Sequence, residues 1–342
     1  MPRYQTPKIS ILLPMRNAAA TLLACLRSIQ RQSEPNWQCI MVDDGSQDDS
    51  ADRARWFTER DPRFRLIETA PHGLVEALNS GLPHCSAPFI ARMDADDIMH
   101  RHRLVMQVQA LETHASLAAV GCHVRLFPRR HLRDGRLAYE RWLNRMTSAR
   151  RIREDAFVEC PIAHPTLMIR RNVLLAFGYR DCGWPEDYDL MLRLLTHGYA
   201  IGMVPKRLLS WRDHPNRLSR TSQTYSIERF TACKAAFLST SFLAATDTYI
   251  LWGYGSTGKA LRRALAQHGK HLASIVELHP RRLGKIIHQA PVIPPEALVA
   301  AWVQTPRPPV VVSVAGERAR EDIRAAMQAM GFQELRDFVC AA

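Results

Sequence analysis

Residues 9–46, ISILLPMRNAAATLLACLRSIQRQSEPNWQCIMVDDGS, decide the fold. The apolar run Ile9 to Leu13 leads into a helical pattern from Thr21 to Arg31, and a second apolar run follows from Gln38 to Val42. Short apolar runs alternating with amphipathic segments predict parallel strands joined by crossover helices. The alternation continues outward. A helix is expected near Ser50 to Arg60, strands at Phe64 to Ile67, Phe89 to Arg92 and Ala118 to Leu126, and helices near Leu74 to Leu82 and Arg103 to Thr113. Three of these strands end in polar residues: Pro14, Arg16 and Asn17 after the first, Asp43, Asp44, Gly45 and Ser46 after the second, and Asp94, Asp96 and Asp97 after Phe89 to Arg92. In open parallel sheets ligands bind beyond the carboxyl ends of the strands. Carboxylates gathered at one rim repel unless a cation or hydrogen-bond donors stand between them. Oxygen ligands suit magnesium or manganese, whose shell substrate phosphates often complete. One Asp-rich turn alone reads as a solvated loop; three polar clusters at one sheet edge read as a binding edge.

A second start lies at Thr248, so residues 1–245 and 246–342 are expected to form two domains. Tyr249 to Trp252 is an apolar strand running into G-Y-G-S-T-G, with Gly253, Gly255 and Gly258, followed by a helix near Lys259 to His268 and a strand from Ala273 to Glu277. A helix near Pro295 to Trp302, a strand Pro309 to Val314, a helix near Arg318 to Met330 and a strand Leu335 to Val339 complete a small α/β unit. Strand, glycine turn, helix and an acid, Glu277, nineteen residues after Gly258 fit the pattern of a dinucleotide fingerprint. Two readings stand open: a second nucleotide site, or glycines that serve only the tight turn.

With 342 residues, 46% hydrophobic and 23% charged, the composition excludes disordered, collagen-like and disulfide-scaffold classes. Eight cysteines without a C-x-x-C spacing suggest neither a zinc knuckle nor a redox motif. No signal-peptide pattern opens the chain, and no apolar stretch approaches the ~20 residues of a membrane span, so a cytoplasmic protein is expected. The net charge is +13, carried by forty Arg and six Lys. Ten Arg against two acids fall within 123–153, which makes that stretch a patch. It fits a phosphate-bearing acceptor or peripheral contact with the inner face of a membrane, and equally a solvated face. Tyr139 and Trp142 interleave it, too few stacking aromatics for nucleic-acid binding.

Five segments together, ISILLPMRN (9–17), VDDGSQD (42–48), MDADD (93–97), HPTLMIRR (164–171) and WPEDYDLMLRL (184–194), resemble glycosyltransferase family 2 over roughly residues 8 to 215. The resemblance implies an α/β chain: a GT-A nucleotide-diphospho-sugar transferase fold, followed here by a small Rossmann-like parallel-sheet domain. It implies that Pro14, Arg16, Asn17 and Asp44 line the donor pocket, that Asp43 accepts from the base, typically a uracil imide, and that Asp94 lies near the ribose. Asp96 would coordinate the Mn2+ or Mg2+ that bridges the diphosphate.

Inversion by direct displacement requires one base to deprotonate the acceptor hydroxyl, and a positioned carboxylate doing so contributes typically ~10²- to 10⁴-fold. By resemblance that base is Asp187. Glu186 beside it would orient the acceptor or act on the base as a like charge. Both acids also suit a helix N-terminus, and the two roles can coexist. His164 and Asp97 are expected to line the site, with a satisfied structural histidine as the alternative at His164. His214, in W-R-D-H-P-N, is a further candidate metal or diphosphate ligand, and Arg212 a partner for the diphosphate. The expected activity is metal-dependent, inverting transfer from a nucleotide sugar, foremost a UDP-sugar, to a glycan or lipid-linked acceptor in cell-surface polysaccharide synthesis. The rival is a nicotinamide-dependent sugar-nucleotide oxidoreductase acting through residues 246–342.

Overall fold

The computed structural model describes residues 6–302 and 307–342. The chain divides into two compact units. One holds the described residues up to Ile152 with Pro161–Cys182 and Arg193–Thr221; the other holds Arg153–Cys160, Gly183–Leu192 and Ser222–Ala342. The second therefore takes in the helix Ile227–Thr240, which a division at 245 leaves with the N-terminal part.

The first unit is built on eight strands: β1 (Ile9–Met15), β2 (Trp37–Asp44), β3 (Phe64–Thr69), β4 (Phe89–Arg92), β5 (Ile98–Met99), β6 (Leu117–Phe127), β7 (Met168–Arg170) and β8 (Ala200–Arg212). Their order is β3-β2-β1-β4-β7-β6-β8-β5. The pairs β1–β2, β2–β3, β1–β4 and β6–β8 are parallel, whereas β7 runs antiparallel to both β4 and β6. Every residue of β1 is buried, as befits a strand covered on both faces. The register pairs Met15 with Asp43 and Asp44 with Thr69, and Met93 N donates to Leu12 O at 3.1 Å. The carboxyl ends of β1, β2 and β4 thus finish along one edge.

The loop after β2 caps the helix after β1. Ala18 N donates to Ser50 Oγ at 2.7 Å and Ala19 N to Asp48 Oδ2 at 3.0 Å, which satisfies donors that helix Ala19–Gln30 cannot pair internally. Strands β5, β7 and β8 have no counterpart in the expected elements. β8 matters most, because its end delivers Arg212, Asp213 and His214 to the edge where β4 finishes.

The second unit carries six strands, β9 (Thr248–Trp252), β10 (His271–Val276), β11 (Ile286–Ile287), β12 (Ala290–Ile293), β13 (Val310–Val312) and β14 (Phe338–Cys340), ordered β11-β12-β10-β9-β13-β14. All pairs are parallel except β11–β12. Ile250, Trp252, Val276, Val310, Val312 and Phe338 pack with Ile323 and Met327 of the helix Glu317–Ala329 as one apolar core. Gly258, at the start of helix Ser256–Ala266, lies so close to β9 and β13 that a Cβ there would meet Gly253 O at 2.3 Å and Ser313 Oγ at 2.6 Å. No helix among the described residues is long and apolar enough to cross a membrane.

Candidate active site

The sheet edge of the first unit brings two groups of predicted residues together. At the ends of β1 and β2, Asp44 is held from three sides: Oδ1 accepts from His72 N at 2.8 Å, both oxygens accept from Gly73 N at 3.1 Å, and Arg16 Nη1 reaches Oδ2 at 3.3 Å. Asp43, 4% exposed, accepts from the hydroxyl and backbone N–H of Ser46. Asn17 takes a positive φ of 50°, which its short polar side chain tolerates, and its carboxamide accepts from Gln47 N at 2.8 Å. Pro14 is buried within β1, whereas Arg16 and Asn17 are exposed. Asp44 and Asn17 shape this rim; Asp43 and Arg16 stand on it.

Beyond β4, carboxylate oxygens of Asp94, Asp96 and Asp97 lie within 4.8 Å of one another. Burial alone would raise the Asp94 carboxyl, but the Arg92 guanidinium bonded to it holds it below the ordinary range. Burial and the Asp94 charge raise Asp96 instead. Burial and both neighbouring aspartates push Asp97 well up. Asp97 Oδ1 accepts from Arg212 N at 2.7 Å, while its buried Oδ2 has no partner. Three crowded carboxylates with an orphaned oxygen fit a divalent cation, which would supply the missing positive charge and reverse these shifts. His214 Nε2 lies 3.2 Å from Asp96 Oδ2, so a nitrogen ligand is at hand. Oxygen ligands with one imidazole match manganese or magnesium chemistry.

Arg212 braces the acidic turn: its Nε donates to Asp96 O at 2.7 Å and its guanidinium stacks on Phe127 at 4.5 Å. Arg217 lies near enough to all three aspartates for its charge to offset part of these upward pressures. It stacks on Trp211 at 4.4 Å, and its buried Nη1 has no partner. Arg217 and Arg92 were not among the expected residues. Their signals are faint: an arginine closing the apolar run of β4, and another three residues after His214. His164 is 7% exposed, bonds the Tyr179 hydroxyl through Nε2 at 3.0 Å, and lies near enough to Asp94 to lower its pKa.

Glu186 and Asp187 belong to the second unit, at the start of helix Glu186–Thr196. Glu186 is 4% exposed and its Oε2 accepts from the Tyr225 hydroxyl at 2.6 Å; Asp187 Oδ1 accepts from Tyr188 N at 2.7 Å. In the glycine turn, Gly253 takes a φ of 94° and Gly258 makes the close approach described above, so turn geometry and packing account for both. Glu277 is engaged by Arg282 Nη1 at 2.7 Å, which also bonds Tyr254 O. Within the Arg-rich stretch, Arg129 pairs with Glu140 at 2.6 Å, while Arg130 and Arg133 are exposed.

Residues 10–177 match the model of a known protein family, described as "Glycosyl transferase family 2". The chain is 29% identical over 240 residues to the putative glycosyltransferase EpsE of Bacillus subtilis, covering 67% of this chain and 82% of EpsE. It is 26% identical over 250 residues to the amylovoran biosynthesis glycosyltransferase AmsE of Erwinia amylovora, covering 71% and 91%. Among solved structures, S. aureus TarS 1-349 in complex with UDP-GlcNAc matches with a TM-score of 0.56 at 15% identity, over 76% of this chain and 72% of that one. The mannosyltransferase PcManGT from Pyrobaculum calidifontis, in complex with GDP-Man and Mn2+, matches with a TM-score of 0.51 at 17% identity, over 96% and 82%. At these identities the structures speak for the fold, which is GT-A. An oxidoreductase acting through residues 246–342 finds no support among these relatives.

Proposed function

Since the chain belongs to glycosyl transferase family 2 through its residues 10–177, we propose that it is a metal-dependent, inverting glycosyltransferase that uses a UDP-sugar. The observation that carries the reading is the crowded triplet Asp94, Asp96 and Asp97 with its orphaned oxygen, opposite the unpartnered Nη1 of Arg217. Asp96 and His214 hold the cation, Mn2+ or Mg2+. When bound, it neutralises charge that grows on the departing diphosphate. Arg217 donates to the same diphosphate, held rigid by its stack on Trp211. Asp43 accepts from the base, with Pro14, Arg16, Asn17 and Asp44 shaping that pocket, and Asp94 lies near the ribose. Asp97 and His164 line the sugar side. Asp187 takes the acceptor proton as the new bond forms at the anomeric carbon, and Glu186, tied to Tyr225, orients the acceptor.

AmsE is named for amylovoran biosynthesis, which supports a role in polysaccharide synthesis; the acceptor we propose is a glycan or lipid-linked glycan of the cell surface. The exposed Arg130 and Arg133 serve a phosphate-bearing acceptor or an anionic membrane surface. Calorimetric titration with UDP and Mn2+ tests the donor side. Binding is expected to need the metal and to be lost in Asp96→Ala; metal-independent binding retained by that variant would remove the metal role. A donor panel read by released nucleoside diphosphate identifies the sugar, and Asp187→Asn with full turnover would remove the base. Neutralising Arg130 and Arg133 should weaken acceptor binding and spare the donor.

A further inference from the structure

Asp187 stands beside a tyrosine with no solvent exposure. The Tyr188 backbone N–H donates to Asp187 Oδ1 at 2.7 Å, and its phenol donates to the Ala156 carbonyl, also at 2.7 Å. Its ring lies 5.4 Å from that of Phe230. Complete burial pushes the phenol well up, so the hydroxyl stays a donor. Ala156 in turn sits in a segment gripped by two cations of the same unit. Arg324 Nη2 donates to Asp155 Oδ1 at 2.6 Å and to Glu154 O at 3.3 Å; Lys234 Nζ donates to Val158 O at 2.6 Å and to Ala341 O at 3.3 Å. Arg324 is itself braced, by Glu334 at 2.9 Å and Glu321 at 2.9 Å. Its helix, Glu317–Ala329, contributes Ile323 and Met327 to the core of the C-terminal sheet.

We propose that the C-terminal unit is the positioning device for the catalytic base. Arg324 and Lys234 fix residues 153–160, the Ala156 carbonyl fixes the Tyr188 ring, and the Tyr188 N–H aims the Asp187 carboxylate. Tyr188, Arg324 and Lys234 are positioning residues that touch no substrate. This assigns the unit a task that needs no second nucleotide in its glycine turn. It rests on the reading of Asp187 as the base. The physical requirement is strict, because displacing a reacting group by about 1 Å can cost ~10²-fold in rate.

The test uses the full chain with Tyr188→Phe, Arg324→Gln and Arg324→Lys, measuring steady-state turnover, calorimetric affinity for UDP with Mn2+, and the thermal transition. Tyr188→Phe is expected to lower kcat about tenfold while donor KM and UDP affinity stay within about twofold, the split that marks a loss made only in the transition state. Arg324→Gln should act in the same direction, and Arg324→Lys, which keeps a cation beside Asp155, should recover part of the loss. A folded Tyr188→Phe or Arg324→Gln with wild-type kcat overturns the proposal. So does a donor affinity that falls in step with kcat, since that marks general loosening. If Arg324→Gln does not fold, Tyr188→Phe, which removes a single oxygen, decides alone. Asp187→Asn separates the two readings: full turnover there removes the base itself, whereas its loss alongside a silent Tyr188→Phe removes only the positioning.

Discussion

Two clusters of acids in this molecule, each with a buried aspartate, differ in their electrostatics. Around Arg324, one guanidinium answers Asp155, Glu334 and Glu321, and its Nη2 takes the Glu154 carbonyl as well. Around Asp94, Asp96 and Asp97, three carboxylates face one another, two are pushed up by burial and mutual repulsion, and the Asp97 Oδ2 is left without a partner. Buried charges persist when they are paired or when they wait for a cation. The first cluster carries its own cation at its centre and holds backbone together. On the proposed reading a divalent cation completes the second, and whether the countercharge lies within the chain is what separates a structural ion network from a binding site here.

The largest loss of stability tests the completed cluster. Asp155→Ala removes the most deeply buried of the acids that Arg324 answers, and a hydrogen bond to a charged group contributes about 1.5–3 kcal/mol. Chemical unfolding should show that loss, and a cost below about 1 kcal/mol would erase the contrast, since that is the scale of exposed pairs. Asp96→Ala should behave the other way. It relieves repulsion, so the metal-free protein should be no less stable, while turnover falls by about 10²- to 10³-fold, as when one electrostatic contact to the developing charge is deleted. A clear loss of stability in metal-free Asp96→Ala would mean that the triplet is structural. Next in size is the response to the cation. Saturating Mn2+ at about a hundred times its dissociation constant should add ~2.7 kcal/mol to the wild type. The increment should vanish in Asp96→Ala and survive in Asp155→Ala.

The same contrast explains what could be read from the chain beforehand. β1, β2 and β4 are almost wholly buried runs, and β2 and β4 lead into aspartates, so the strands and the acidic edge were both visible. β8 was not, because Pro205, Lys206 and Arg207 are exposed in its middle and break both the continuous and the alternating pattern. With it went the reason for His214 and Arg217 to meet the triplet. In a chain with forty arginines, Arg92 and Arg217 carry no mark that separates them from the solvated ones. The Asp155–Arg324 pair joins residues 169 positions apart, so no local pattern reports it. Complete clusters are recognised only in three dimensions, whereas incomplete ones leave a local excess of like charge that a sequence displays.

Asp48 offers the smallest and most local version of a completed acid. Its Oδ2 accepts from Ala19 N at 3.0 Å and its Oδ1 from Ser50 N at 3.0 Å and from the Ser50 hydroxyl. Burial alone would raise its carboxyl, but these bonds, the Ser50 hydroxyl foremost, hold it below the ordinary range. A carboxyl depressed on folding adds stability that is fully present above its unfolded value near ~4 and is lost as pH falls through the lower folded value. Asp48→Ala should therefore cost ~1 kcal/mol at neutral pH, the scale of a lost helix cap, and the gap from wild type should narrow as unfolding is repeated at progressively lower pH. A gap that stays constant through the acid range would mean that the side chain acts by packing. Asp48 would then no longer stand with Asp155 as an acid completed by its own chain.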